Sequence, residues 1–88
     1  MSDRIPWPRV GQGVRLRSGA VGQVLTVLRG VEALRGKTDV EVLVLAAEMQ
    51  TLVGADWSGL YYEATVQLVS DALLLVTPMD VVEVIPLD

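Results

Sequence analysis

Cysteine, histidine and phenylalanine do not occur in this 88-residue chain, and aromatic residues make up only 5% of it. Without Cys the chain forms neither a disulfide scaffold nor a thiolate metal site, which excludes a small secreted fold held by disulfides. Without His it lacks the usual general base and the commonest metal ligand. Its apolar content of 51% is too high for intrinsic disorder.

Long hydrophobic runs are also missing. The longest uncharged run, Ser18–Leu28, has eleven residues, whereas a membrane-spanning helix needs about 20. The first six residues contain no apolar signal segment. We therefore expect a location in the cytoplasm, or inside a particle such as a virion that is assembled there.

The length predicts one domain, residues 1–88, that starts with an extended approach segment, residues 1–12. In that segment Pro6 and Pro8 flank Trp7 and hold the backbone extended. Trp7 then either covers one end of the core or anchors a partner. Because so small a body cannot hide all its apolar side chains, we expect oligomerisation or a place in a larger assembly.

Alternation of apolar and polar residues predicts a β-rich fold. The runs Gly13–Arg17 and Val21–Leu28 flank a Ser-Gly turn and predict a hairpin, with Gly22 as a bulge or a point of close approach. Val40–Ala46 predicts a third strand, and Leu60–Val69 predicts a long strand with one solvated face. Helix is nearly absent from this prediction.

The remaining segments bring the prediction to five or six strands. Glu48–Val53 either continues the third strand or forms a short helix, and Asp56–Gly59 forms a turn. Leu73–Val76 and Val82–Ile85 are strands, and Pro78–Asp80 fits a single 3₁₀ turn between them.

Both ends of the chain resemble a known family. Val10–Val24 is similar to the opening of small SH3-like barrels of the KOW/Tudor kind, in which a Gly precedes an alternating strand and a Gly-x-Val starts the next. Thr77–Ile85 is similar to their 3₁₀ turn and last strand. The resemblance implies an all-β fold, a small SH3-like, partly open barrel of five or six short antiparallel strands. The segment Glu48–Gly59 has no counterpart, and no functional residues are carried over.

Charge is divided along the chain. All seven basic residues lie in the first 37 positions with only two acids, a net of +5, whereas Thr38–Asp88 has nine acids and no base, a net of −9. Three interpretations stay open. The two halves interleave and neutralise each other, or the basic face of one subunit meets the acidic face of the next head to tail, or the basic half binds nucleic acid.

Nothing in the sequence predicts catalysis, a cofactor or a metal site. Gly30–Thr38 ends in Gly-Lys-Thr, but five residues separate its glycines where a phosphate-binding P-loop has four, and the run after it looks like a strand rather than a helix. The serines have no His to activate them. The paired acids near predicted strand ends are interpreted as solvated charges.

We therefore predict a non-enzymatic protein–protein assembly module, self-associating or a connector component of a larger particle such as a phage virion. The alternative is a nucleic-acid-associated barrel with its phosphate face in the basic half, and a third, weaker hypothesis is an inhibitor whose acidic half mimics nucleic acid. The candidate interaction residues are Trp7, Arg15, Arg17, Arg29, Arg35, Trp57 and Tyr61.

Overall fold

The computed structural model of the chain describes residues 7–54 and 57–85. Residues 1–6 of the predicted approach segment, and Asp56 of the predicted turn, lie outside the described residues. Within them, five strands and three helices follow one another along the chain: β1 (Gly13–Leu16), β2 (Val21–Arg29), α1 (Val31–Leu34), α2 (Asp39–Val53), α3 (Trp57–Leu60), β3 (Tyr62–Leu68), β4 (Leu73–Val76) and β5 (Val81–Ile85).

The five strands form one antiparallel sheet in the order β4-β3-β2-β1-β5. The predicted hairpin is confirmed: β1 pairs with β2, and Gly19, at φ +95°, closes the turn with its N–H donating to Leu16 O. The strands β4 and β5 lie at the two ends of this order and are not paired with each other. The fold is therefore predominantly β, and its sheet is open.

Gly22 is a point of close approach, as its position in the strand predicts. A Cβ at this residue would lie 2.8 Å from Gln67 O and against the Val66 side chain on β3. The bulge itself is elsewhere, because the register of β2 on β3 shifts between Val24 and Thr26. The lack of a side chain at Gly22 lets the paired strands β2 and β3 approach each other closely at this position.

The predicted third strand, Val40–Ala46, is wrong, and with it the near absence of helix. These residues lie in α2, which has fifteen residues and takes in Glu48–Val53 as well. Thr38 starts the helix with a capping box: its Oγ1 accepts from the Glu41 N–H, and the Glu41 carboxylate accepts from the Thr38 N–H. The β-branched valines favoured a strand, but this cap and the helix-forming Leu, Ala and Met residues favour the helix.

The interior consists of two clusters. The larger one fills the inner face of the sheet with buried side chains from all five strands: Val14, Leu16, Val24, Tyr62, Ala64, Val66, Val76 and Val81. The smaller one joins the helices to the start of β3 through Ala33, Met49 and Tyr61, with Leu45 and Trp57 packed against them. One side of α2 is thus used to attach it to the sheet.

Two local predictions are corrected by this packing. Alternation along the strand places Tyr61 and Tyr62 on opposite faces, and only one was expected in the core, yet both are buried because the helices cover the second face. The residues from Trp57 onward, predicted as a turn, form the short helix α3.

Candidate functional site

Trp7 and Arg29 are in direct contact. The Arg29 guanidinium lies 4.6 Å from the centre of the Trp7 ring, and the indole Nε1 donates a 3.0 Å hydrogen bond to Leu60 O at the end of α3. A cation over an indole face is attracted by the ring quadrupole. This contact fixes the start of the described chain against the end of β2.

Beside this pair lies a basic hollow of about 430 Å³, which we call the Arg9–Arg29 hollow. Its described lining is basic and apolar: Pro8, Arg9, Val10, Val27 and Arg29. Val10 is 63% exposed, and the Arg9 backbone N–H donates 2.7 Å to Gln12 Oε1, which fixes that turn. The hollow thus presents two cations around apolar walls.

The other predicted arginines contact the protein's own surface. Arg15 forms an ion pair with Glu83 across β1 and β5, and each of these side chains is 51% exposed. Arg17 Nε donates 3.0 Å to Met79 O. Arg35 lies 3.9 Å from Glu32. The Arg15 pair joins the basic half of the chain to the acidic half, so the two halves interleave here.

Tyr61 belongs to a shielded polar cluster with Lys37 and Glu63. Lys37 Nζ lies 2.7 Å from Glu63 Oε2, and the Tyr61 hydroxyl donates 2.7 Å to the same oxygen. The Lys37 and Glu63 side chains are only 22% and 11% exposed. The cluster again joins the two halves of the chain, and it ties the loop before α2 to β3.

Burial governs the chemistry of both tyrosines. It raises the pKa of Tyr61, and the carboxylate of Glu63 raises it further. Burial also raises the pKa of Tyr62, with a smaller contribution from Asp80. Trp57 packs edge-on to Tyr61 with 6.3 Å between ring centres. Tyr61 is therefore a buried structural residue rather than a surface contact.

The seven predicted interaction residues do not form a single patch. The structure brings together two pairs, Trp7 with Arg29 and Trp57 with Tyr61. The remaining three are exposed arginines that contact Glu83, Met79 and Glu32: Arg15, Arg17 and Arg35.

The Gly-Lys-Thr sequence of the near-match to a P-loop does precede a helix, contrary to the expectation of a strand after it. Its polar groups are nevertheless engaged within the chain: Lys37 pairs with Glu63, and Thr38 caps α2. The hydrogen bond from the Thr38 N–H lowers the pKa of Glu41. The spacing of the glycines still excludes a P-loop.

The outer side of α2 carries an apolar stripe that sequence reasoning missed. Val40, Leu43, Val44 and Ala47 follow the i, i+3, i+4, i+7 spacing of one helix face, and all four are exposed, with Val40 and Leu43 each at 69%. The opposite side packs inward at Met49. The spacing was visible in the sequence, but the assignment of Val40–Ala46 to a strand concealed it.

Acidic residues flank this stripe. At 3.6 residues per turn, Asp39 falls on one side of it and Glu48 on the other. The helix contains no basic residue. We call the four apolar residues and their two acidic neighbours the outer α2 face.

The strand β4 forms a second apolar surface at the open end of the sheet. Leu73, Leu74 and Leu75 are all exposed, the last at 64%. A groove of about 210 Å³ separates β4 from the end of β1, between Leu74 and Arg17. An uncharged edge strand is a ready site for pairing with another chain.

Within residues 7–54 and 57–85, no helix is long and apolar enough to cross a bilayer. The same part of the chain holds no group of three acidic side chains that could bind a metal ion. Comparison of the chain with protein-family models, curated proteins and solved structures finds no match. The case for a function therefore depends on the surfaces described above.

Proposed function

We propose that this protein is a non-enzymatic protein–protein assembly module that associates with copies of itself. The observation that carries the proposal is the outer α2 face, where Val40 and Leu43 are 69% exposed on a helix whose other side is already packed. An exposed apolar stripe on a helix that already packs through its opposite side is typical of a surface that contacts another protein. A second protein surface provides the missing cover.

The edge strand β4 is a second candidate surface for self-association. Its three exposed leucines lie at the open end of the sheet, without the charged residues or prolines that protect most free edges. Exposed apolar surfaces of this kind mark contacts with other proteins. A structural or connector component of a larger particle is a setting that fits both.

The placement of the basic residues favours protein over nucleic acid as the partner. Arg15 and Lys37 are paired with acids, and Arg17 donates to a backbone carbonyl. A phosphate-binding face needs cations that are available to the backbone of the nucleic acid. The nucleic-acid alternative makes a different prediction. It expects binding to DNA or RNA at low salt that weakens steeply as salt is added and that Arg15→Glu abolishes.

The fold behind this module is proposed to be a variant of the SH3-like barrel. In support, β5 pairs with β1, and a hydrogen-bonded turn from Thr77 to Asp80 precedes β5, as the resemblance implies. The helix α2 is then an insertion between β2 and β3. Amide hydrogen exchange tests the open edge of this variant, because a free β4 edge protects alternate amides whereas a closed barrel would protect every amide of β4.

Size-exclusion chromatography coupled to light scattering tests the proposed function. We expect masses above 9.5 kDa that depend on concentration, at both low and high salt. A monomer at every concentration and salt would refute self-association. The same samples mixed with DNA and RNA separate the two alternatives, because a complex that forms only with nucleic acid favours the basic-face hypothesis.

A further inference from the structure

We infer that the outer α2 face of one copy binds in the Arg9–Arg29 hollow of a second copy. This inference rests on the proposed function and names the two surfaces that carry it. The first observation is that the two surfaces are opposite in charge. The α2 stripe lies between Asp39 and Glu48, whereas the hollow lies between two arginines.

The two surfaces also match in apolar character. The stripe offers branched side chains at Val40, Leu43 and Val44, and the hollow, an open depression of about 430 Å³, offers Val10 and Val27. A depression that combines apolar side chains with cations is complementary to a convex apolar stripe bordered by carboxylates. Each surface lacks such a counterpart in its own copy, where α2 packs through its opposite side.

Like surfaces fit one another less well. Two α2 faces brought together place acids of the same sign at the rim of one interface, and two hollows bring four arginines together. Like charges across an interface are unfavourable. The contact therefore joins different surfaces of the two copies. Repetition of such a contact produces an open chain of copies, a closed ring or a reciprocal dimer.

Arginine suits the receiving surface. Arg29 is held in place by the Trp7 ring, so little side-chain freedom is lost when a carboxylate approaches it. Arg9 is exposed, and its backbone is fixed by Gln12. We expect these two guanidinium groups to meet Asp39 and Glu48 of the neighbouring copy.

The test uses two variants that each damage one surface. Leu43→Lys places a cation in the α2 stripe and keeps a good helix former there. Arg9→Glu reverses one charge of the hollow. We expect each variant to weaken self-association about thirtyfold or more, the effect of a central hot-spot residue. Circular dichroism and thermal unfolding check that each variant stays folded.

Two further variants serve as matched controls. Leu75→Lys makes the same substitution at a leucine of similar exposure on β4, and Arg35→Glu makes the same charge change outside the hollow. Both are expected to associate like the unmodified chain. If Leu75→Lys dissociates the assembly and Leu43→Lys does not, the edge of the sheet carries the contact. That result overturns the inference but leaves the proposed function standing.

Mixing the two damaged copies provides the decisive measurement. The Arg9→Glu copy keeps its α2 face and the Leu43→Lys copy keeps its hollow, so one intact contact remains between them. We expect an equimolar mixture to form a 1:1 heterodimer by light scattering, although each variant alone is monomeric. Two monomers in the mixture would overturn the inference. An unmodified chain that never associates would refute the proposed function as well.

Discussion

The ion pair between Lys37 and Glu63 is expected to stabilise the fold more than the other ion pairs in the described part of the chain. Its side chains are 22% and 11% exposed, and the Glu63 oxygen that meets Lys37 also accepts from Tyr61. Removing Lys37 leaves a shielded carboxylate with one neutral donor. Hydrogen bonds to charged groups contribute about 1.5–3 kcal/mol, and the loss should fall in that range because the pair is not fully buried.

A double-mutant cycle measures this interaction. The variants are Lys37→Met, Glu63→Gln and the double variant, each unfolded in urea. We expect Lys37→Met to lower the free energy of unfolding by about 1.5–3 kcal/mol, which for a domain of this size lowers Tm by roughly 6–24 °C. The coupling energy between the two residues should be about 1–2 kcal/mol, because the double variant no longer contains an unpaired charge.

The pair between Arg15 and Glu83 provides the control. Both of its side chains are 51% exposed, so Arg15→Met and Glu83→Gln should couple by only about 0.2–1 kcal/mol. Added salt should reduce this coupling more than that of Lys37 and Glu63, because shielded pairs are screened less. Equal coupling energies in the two cycles, or equal sensitivity to salt, would refute the claim that burial of the pair determines its contribution.

Three other measurements test the interior. Gly22→Ala should lower stability in urea by about 1–3 kcal/mol, since its Cβ meets Gln67 O at 2.8 Å, and an unchanged midpoint would contradict the close approach. Tyr62→Phe should keep or raise stability, because its buried hydroxyl has no hydrogen-bond partner among the described residues, whereas Tyr61→Phe should lower it by about 1 kcal/mol. Burial raises the pKa of both tyrosines above their unfolded value of about 10. The contribution of the two tyrosines to the free energy of unfolding should therefore be fully present below about pH 10 and fall as pH rises toward the folded pKa values. Urea titrations above pH 10, with tyrosinate absorbance to follow ionisation, measure this fall, and a constant free energy of unfolding would contradict it.

The strands could be predicted where alternation and turn residues agree. The hairpin of β1 and β2 follows from apolar residues at every second position and a Gly that adopts φ +95°. The turn before β4 contains Ser70 and Asp71, residue types that favour turns, and Asp71 adopts φ +72°. Both depend on local chemistry, which a single sequence contains in full.

The helix α2 was missed because two local signals disagree. Valines at positions 40, 42 and 44 mimic the alternation of a strand, while the Thr-x-x-Glu capping box at Thr38 marks a helix start. Fifteen residues without Gly or Pro are longer than most strands. The length and the cap together favour the helix over the strand that the alternation indicates.

The shielded cluster could not be predicted, because it depends on distance along the chain. Lys37 and Glu63 are 26 positions apart, with α2 and α3 between them in the chain, and they meet only in the folded structure. No local pattern indicates which acid a given base will contact. The division of charge along the sequence likewise does not predict where charges lie on the surface. Two ion pairs, Arg15 with Glu83 and Lys37 with Glu63, each join a base of the first 37 residues to an acid of the remaining chain.

The valines of the outer α2 face contribute little to the stability of a single copy, because Val40 and Val44 are mostly exposed. Exposed Val40 and Val44 form helix less readily than Lys, Glu or Gln would at the same positions. Leu43 is no better a helix former than those polar residues. A lone chain thus loses helix propensity here and gains little burial, since these side chains are 55–69% exposed. Contact with another protein surface makes these residues favourable, because fully burying an exposed Val or Leu side chain stabilises the complex by about 1.5–3 kcal/mol.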